Sequence, residues 1–299
     1  MRNTPRSRLV RFLPGVGYAQ DVVSRLGRDP LAVMSIVIIL AFVLAAILAP
    51  LLTPFAEQGR GEPHVATKLL PPSATHPFGT DELGRDVLAR VLFAGRTSLL
   101  VGFMVPLIAA FIGLPLGAMA GFFGGAVDET IMRVTDVFLA FPPLLLAIAL
   151  AAALGPSLQN AMLAIALSWW PWYARLVRSQ ALSLRQRCFV DAARCMGLDN
   201  LTILRRHIIP HVMAPVLVQA TLDVGSAILT AAGLSFIGLG VQPPAADWGR
   251  MISTGRTYFF IYWWCATFPG LAIFVITLAF NWLGDAVNAA SDPRAKGML

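Results

Sequence analysis

Six apolar runs, each long enough to cross a bilayer as a helix, limit what this chain can fold into. They lie at about Leu31–Thr53, Ser98–Ala120, Ile131–Leu154, Leu158–Val177, Val212–Leu239 and Tyr262–Leu283. At ~1.5 Å of rise per residue, about 20 residues span a hydrocarbon core of ~30 Å. Backbone polar groups in that core must be satisfied within the protein. A closed barrel would be built from shorter, alternating segments, so the runs read as helices. Only 13% of the residues are charged, against about 25% in a soluble domain, too few to solvate a globular surface. The expected fold class is all-α: a polytopic membrane protein with six transmembrane helices.

Lysine and arginine positions set the orientation. With the N-terminus in the cytoplasm, sixteen of the 23 basic residues fall on internal segments and seven on external ones. The positive-inside bias therefore places both termini in the cytoplasm, in keeping with an even number of spans. The net charge of +7 follows from this distribution and does not point to nucleic acid. Residues 1–30 form a cytoplasmic tail rich in arginine and without an apolar core, so the first span is expected to be retained and not cleaved as a signal peptide. The membrane domain covers 31–290, with an external loop at 54–97 and a cytoplasmic loop at 182–211. A cytoplasmic tail follows at 291–299.

Within the first external loop, Leu83, Val87, Leu88, Val91 and Leu92 recur at helical spacing. This predicts an amphipathic helix over 81–96 at the outer interface. The external segment 241–261 carries Pro243, Pro244, Trp248 and other aromatics suited to the headgroup region. Gly113, Gly117 and Gly121 form a small-residue stripe that predicts close helix packing. The three cysteines, Cys188, Cys195 and Cys265, lack the number and spacing of a disulfide framework or metal site.

The cytoplasmic loop carries the most information. A helix is expected from about Leu184 to Met196, ended by Gly197, which tolerates the positive φ of a C-terminal cap. Asp199 or Asn200 can cap a second short helix from Leu201 to about Ile209. Pro210 is expected to kink the chain as it re-enters the membrane. Basic residues (Arg185, Arg187, Arg194, Arg205, Arg206) alternate here with Phe189, Met196 and Leu201, a pattern that suits a docking surface.

The order Asp191-Ala192-Ala193, then Gly197, then Pro210 resembles the EAA loop of binding-protein-dependent ABC importer permeases. Asp191 stands where Glu is usual and keeps the charge. His207 stands where Ile is common, although peptide-type members often carry His. Four longer stretches, His76–Leu88, Asp128–Pro143, Leu234–Trp248 and Trp263–Asp285, are similar to the C-type permease of dipeptide, oligopeptide and nickel importers. The acidic residue that often precedes the LSFxGLG stretch in that family is here Ala231.

The resemblance implies a type I ABC importer transmembrane domain in the bacterial inner membrane, with the EAA loop as a coupling helix in a cleft of the ATPase. Asp191, Ala192, Ala193 and Gly197 would carry the coupling, with Met196 and Leu198 at the contact. Asp128–Asp136 would form a second, weaker contact. The implied partners are a second, related permease, two ATP-binding subunits and an external substrate-binding protein. The chain has no G-x-x-x-x-G-K-[ST] loop. It is therefore expected to be neither an enzyme nor a holder of any cofactor, the ATP being bound by the partner subunits. Peptide is the implied cargo, with nickel, glutathione or another small solute as alternatives.

Asp223 lies well inside the fifth run. A charge there costs several kcal/mol unless paired or hydrated. It either lines a translocation path or is hydrated between helices. His207 and His211 are four apart, as in some metal sites, but Pro210 lies between them and no third ligand is evident, so no metal site is expected. An ion-coupled carrier would place several ionisable groups in its spans, and an intramembrane enzyme would need paired catalytic groups there. Asp223 stands nearly alone, which argues against both.

Overall fold

A computed structural model describes residues 24–291. Most of the expected N-terminal tail, and the C-terminal tail from 292 on, lie outside the described residues, with Arg2, Arg6, Arg8, Arg11, Arg294 and Lys296. Among the described residues the fold is all-α, with one isolated β-bridge between Thr80 and Asp86.

Helix α1 (Pro30–Ile47) starts where Asp29 accepts the Leu31 N–H at 2.9 Å and Pro30 takes the first turn, where a missing N–H costs nothing. It ends before the apolar run does. Arg96 donates to the carbonyls of Ala46 and Ile47 at 2.6 and 3.0 Å, satisfying the last turn, and a separate four-residue helix, Ala49–Leu52, follows.

Helix α2 (Val87–Phe123) is capped by Asp86, which accepts the Ala89 N–H at 2.7 Å. The interfacial helix expected over 81–96 is therefore not a separate element. From Val87 on it is the first part of α2, and Val87, Ala89 and Phe93 are buried in the protein.

Helices α3 (Gly125–Leu139) and α4 (Pro143–Leu154) correct the third expected span, for they meet at 87°. Pro142 and Pro143 both lack an N–H, and each pushes the residue before it out of the α region. Helix α5 (Leu158–Arg185) begins at Ser157, whose hydroxyl accepts the Asn160 N–H at 3.1 Å.

Helices α6 (Cys188–Cys195), α7 (Asn200–Ile203) and α8 (Ile209–Phe236) follow, with a π turn at Leu204–Ile208 joining the last two. The Ile209 N–H bonds to the Leu204 carbonyl. This wider turn makes room for the Pro210 ring, which would strike the carbonyl four residues back in an α-helix. The chain continues through Pro210 as one 37-residue helical segment, Asn200–Phe236. Helix α9 (Trp248–Gly255), capped by Asp247, and helix α10 (Trp264–Ser291) complete the described residues.

Among the described residues, four helical segments, α1, α2, α7–α8 and α10, are long and apolar enough to cross a membrane, and α3–α4 is a fifth if the bent pair forms one span. Helix α5, at 28 residues, has the length but is less apolar.

Two apolar cores run through the bundle. One joins the second half of α2 to α4, α5, α6 and α8; the other joins α1, the first half of α2, α9 and α10. Helices α2 and α5 meet along the glycine stripe. A Cβ on Gly113 would stand 2.5 Å from the Tyr173 Cβ, and one on Gly121 would stand 2.6 Å from the Arg178 carbonyl oxygen. Only glycine permits this approach, as the spacing predicts.

The segments 54–86 and 241–262 fold over the end of the bundle where α2 begins. Trp248, expected among lipid headgroups, is instead 1% exposed and donates its indole N–H to the Val91 carbonyl at 3.0 Å. His76 bonds Asp86 at 2.9 Å beneath the stacked ring of Phe55. Arg85 bonds Asp81 at 2.7 Å, and Arg90 donates to the Pro244 carbonyl at 2.8 Å.

Candidate functional site

At the opposite end, where α2 and α5 finish, the chain turns back through α6 and α7. Val190, Ala193, Ile203, Leu204 and Ile208 are buried and belong to the core formed with α2, α5 and α8. Asp191, Ala192, Gly197 and Met196 are exposed, Met196 by 73%. Helix α6 is thus amphipathic, with a seated face and a bare one. Asp191 lies 3.2 Å from Arg194 in an exposed pair, which contributes little stability and leaves the carboxylate at the surface.

The turn after α6 is a Schellman motif. The Gly197 N–H donates to the Arg194 carbonyl at 2.9 Å, and the Leu198 N–H to the Ala193 carbonyl at 3.2 Å. Gly197 sits at φ +79°, and a Cβ there would meet nothing within 4 Å. Glycine is needed for the backbone angle and not for space. Leu198 packs half-buried on the core, so the two residues expected at a partner contact divide: Met196 faces out and Leu198 faces in. Asp199 caps α7, and the Thr202 hydroxyl and N–H, at 2.5 and 3.0 Å, hold its carboxyl below the usual carboxylate range.

Ion pairs tie α3 to α5 at this end. Arg178 grips Asp128 through two nitrogens at 2.5 and 2.6 Å, and Arg175 reaches Asp136 at 2.5 Å. Asp128 and Asp136, expected near a second partner contact, therefore hold the chain's own helices together.

Asp223, on α8, borders a half-open cavity of about 770 Å³ between α4, α5 and α8. The Tyr173 hydroxyl of α5 donates to one carboxylate oxygen at 2.6 Å, and the Gln219 amide donates to the other at 2.9 Å. Trp169, Trp172, Ser226 and Thr230 also line the space. Sequence reasoning reached Asp223 through its isolation in an apolar run, but it missed Tyr173 and Gln219. Gln219 lies one turn before Asp223, a signal that was present. Tyr173 is 50 residues away and arrives only through the packing of α5 on α8.

Residues 113–297, which hold both the exposed element and the cavity, match the family described as binding-protein-dependent transport system inner membrane component. The chain belongs to this family. Residues 17–72 also match the N-terminal TM domain of oligopeptide transport permease C, in agreement with the C-type resemblance of the sequence. Among relatives of this inner membrane component, the probable D,D-dipeptide transport system permease of Escherichia coli strain K12 is 47% identical, over 92% of this chain and 92% of its own. The dipeptide transport system permease of Alkalihalophilus pseudofirmus is 44% identical, over 93% of this chain and 90% of its own. A glutathione transport system permease of Pectobacterium atrosepticum is 44% identical over 75% of each chain. An inward-facing structure of the MetNI methionine ABC transporter aligns with a TM-score of 0.54 at 18% identity, over 67% of this chain and 96% of that one. That likeness shows the fold. The inner membrane component is the integral-membrane permease part of an ABC importer.

Proposed function

We propose that this permease subunit moves di- or oligopeptides across the inner membrane, driven by ATP bound and hydrolysed on separate subunits. The relatives named for dipeptide transport, at 44% and 47% identity, support peptide as cargo. Glutathione is the second reading, supported by the relative named for it. The spans are α1, α2, the α3–α4 pair, α5, α8 and α10, six in all, with both termini cytoplasmic. Residues 54–97 then face the periplasm, where a substrate-binding protein docks, and a second, related permease completes the path beside Asp223.

The observation that carries this reading is the split of α6 and α7 into a buried face and a bare one. A helix that must convey movement has to be fixed to the bundle on one side and open to a partner on the other. Ala193 supplies the fixed side. Asp191, Ala192 and Met196 supply the open side, which sits in a cleft of the ATPase. Gly197 and Leu198 close the turn and hold the two helices in register. When ATP binding draws the ATPase subunits together, the clefts carry this element and the attached helices between inward- and outward-facing arrangements.

Purification from native membranes in mild detergent, with mass spectrometry of every chain, tests the assembly. Recovery of a second permease and a phosphate-loop ATPase is expected, with a Met196→Cys variant cross-linking to the ATPase. A chain that purifies alone and gives no such cross-link would sink the coupling reading and favour an ion-driven carrier.

A further inference from the structure

We propose that the cavity beside Asp223 is a recognition site for a protonated primary amine of the cargo, a peptide N-terminus or a lysyl side chain. This rests on the reading that the cavity lies on the translocation path. The argument begins with charge. Both groups that bond Asp223, the Tyr173 hydroxyl and the Gln219 amide, are neutral donors. They hold the carboxylate in place and bring no positive charge to it. The basic side chain that lines the same cavity, Arg175, is already paired with Asp136 at 2.5 Å. Among the described residues the space therefore gives the Asp223 carboxyl group no matching cation, at a depth where an unmatched charge is costly.

Geometry completes the case. A carboxylate offers about four acceptor positions, and the two bonds leave room for donors arriving from the open side. An ammonium group carries three donors and one charge, and it fits this vacancy better than water or a neutral amide does. Trp169 and Trp172 lie along the same cavity, and Trp172 is 54% exposed. Indole faces attract cations within about 6 Å of the ring centre. The volume, about 770 Å³, falls in the range of about 300–1,000 Å³ in which small-molecule sites occur.

Ser226, exposed and on the cavity wall, gives a reporter. In a background with Cys188, Cys195 and Cys265 changed to serine, the assembled transporter carrying Ser226→Cys is placed in lipid nanodiscs. It is treated with methanethiosulfonate reagents bearing an ammonium, a neutral or a sulfonate group, each rate being divided by that with a free thiol in solution. The ammonium reagent is expected to react roughly tenfold faster than the neutral one, and Asp223→Asn should remove the preference. A protection arm needs no change at Asp223. Alanyl-alanine and N-acetyl-lysine, which offer the two sources of amine, are each added before the reagent, and N-acetyl-alanyl-alanine serves as the amine-free control. Slowing by either amine but not by the control supports the site and tells which source it takes. Labelling without charge preference, a preference that survives Asp223→Asn, or equal protection by the acetylated dipeptide would overturn amine recognition while leaving the path intact. A thiol that reacts with no reagent, with or without ATP, would overturn the path reading as well.

Discussion

The seam between α2 and α5 yields a prediction with a built-in control. In Gly121→Ala the new Cβ would lie 2.6 Å from the Arg178 carbonyl oxygen and 2.7 Å from the Ala181 Cβ. Both neighbours are too close to the backbone to swing away. Restoring the 3.4 Å of ordinary contact requires the helices to part by about 0.8 Å along this turn. Overpacking of this kind costs about 1–3 kcal/mol. Gly233→Ala, on α8, introduces a Cβ that meets nothing within 4 Å. Both variants gain the same ~1 kcal/mol of helix propensity, so the difference between them isolates the seam. At about 2–4 °C per kcal/mol, the apparent Tm of Gly121→Ala should fall roughly 3–10 °C below that of Gly233→Ala. The assay is fluorescence-detected size exclusion after heating the purified chain in one detergent. Gly121→Ala melting at or above Gly233→Ala would refute the packing argument.

Other outcomes follow from the same structure. Gly197→Ala places a side chain at φ +79° with no steric neighbour, a strain of about 1–2 kcal/mol. The chain should still fold, but peptide uptake should drop several-fold as the Schellman turn shifts, whereas unchanged uptake would detach this turn from coupling. Trp248→Ala removes a side chain that is 1% exposed, bonded to Val91 and set edge-on to Phe42. A loss of about 3–5 kcal/mol should abolish folded yield, and normal yield would mean that 241–261 is peripheral. Burial first, and neighbouring Asp81 second, push the Glu82 carboxyl up from its usual value. A raised acid favours the fold when protonated, so its contribution is lost as pH rises from the ordinary carboxylate range through the raised value. Glu82→Gln should therefore melt above wild type at pH 7 and match it near pH 4. The reverse order would show that the contact with Arg85 at 3.3 Å outweighs desolvation.

The apolar runs announced α1, α2, α8 and α10 because hydrocarbon-length segments leave few alternatives to a helix. Boundaries failed where side chains act on the backbone from a distance. Arg96 closes α1 from 50 residues away, which no local pattern reveals. The helical spacing holds only from Val87 on, since Leu83 lies in the turn before the helix, and there Val87 is buried in protein while Leu88, Val91 and Leu92 are half-buried; periodicity alone does not show where a helix starts or what its apolar face meets. Pro142 and Pro143 were visible in the sequence, yet the apolar residues on both sides masked the break. The glycine at 197 and its αL turn were fully legible, since the requirement is local. The partner of Asp223 was not, since Tyr173 reaches it through tertiary packing.

The π turn before Pro210 has a mechanical consequence. Because it carries the helix through, Asn200–Phe236 is a single 37-residue beam, about 55 Å long at ~1.5 Å per residue. Gly225 presses this beam against α10, where a Cβ would lie 3.1 Å from both the Thr277 carbonyl and the Asn281 side chain. A fulcrum there divides the beam into unequal arms, the longer toward α6. A stroke of about 5 Å at Asn200 then swings Phe236 about 2 Å the opposite way, while the carboxylate of Asp223, beside the pivot, barely moves. Spin labels at the two ends should shift in opposite senses through the ATP cycle, and shifts in the same sense would remove the pivot. With such a pivot, either mouth of the proposed path would open while Asp223 keeps its place.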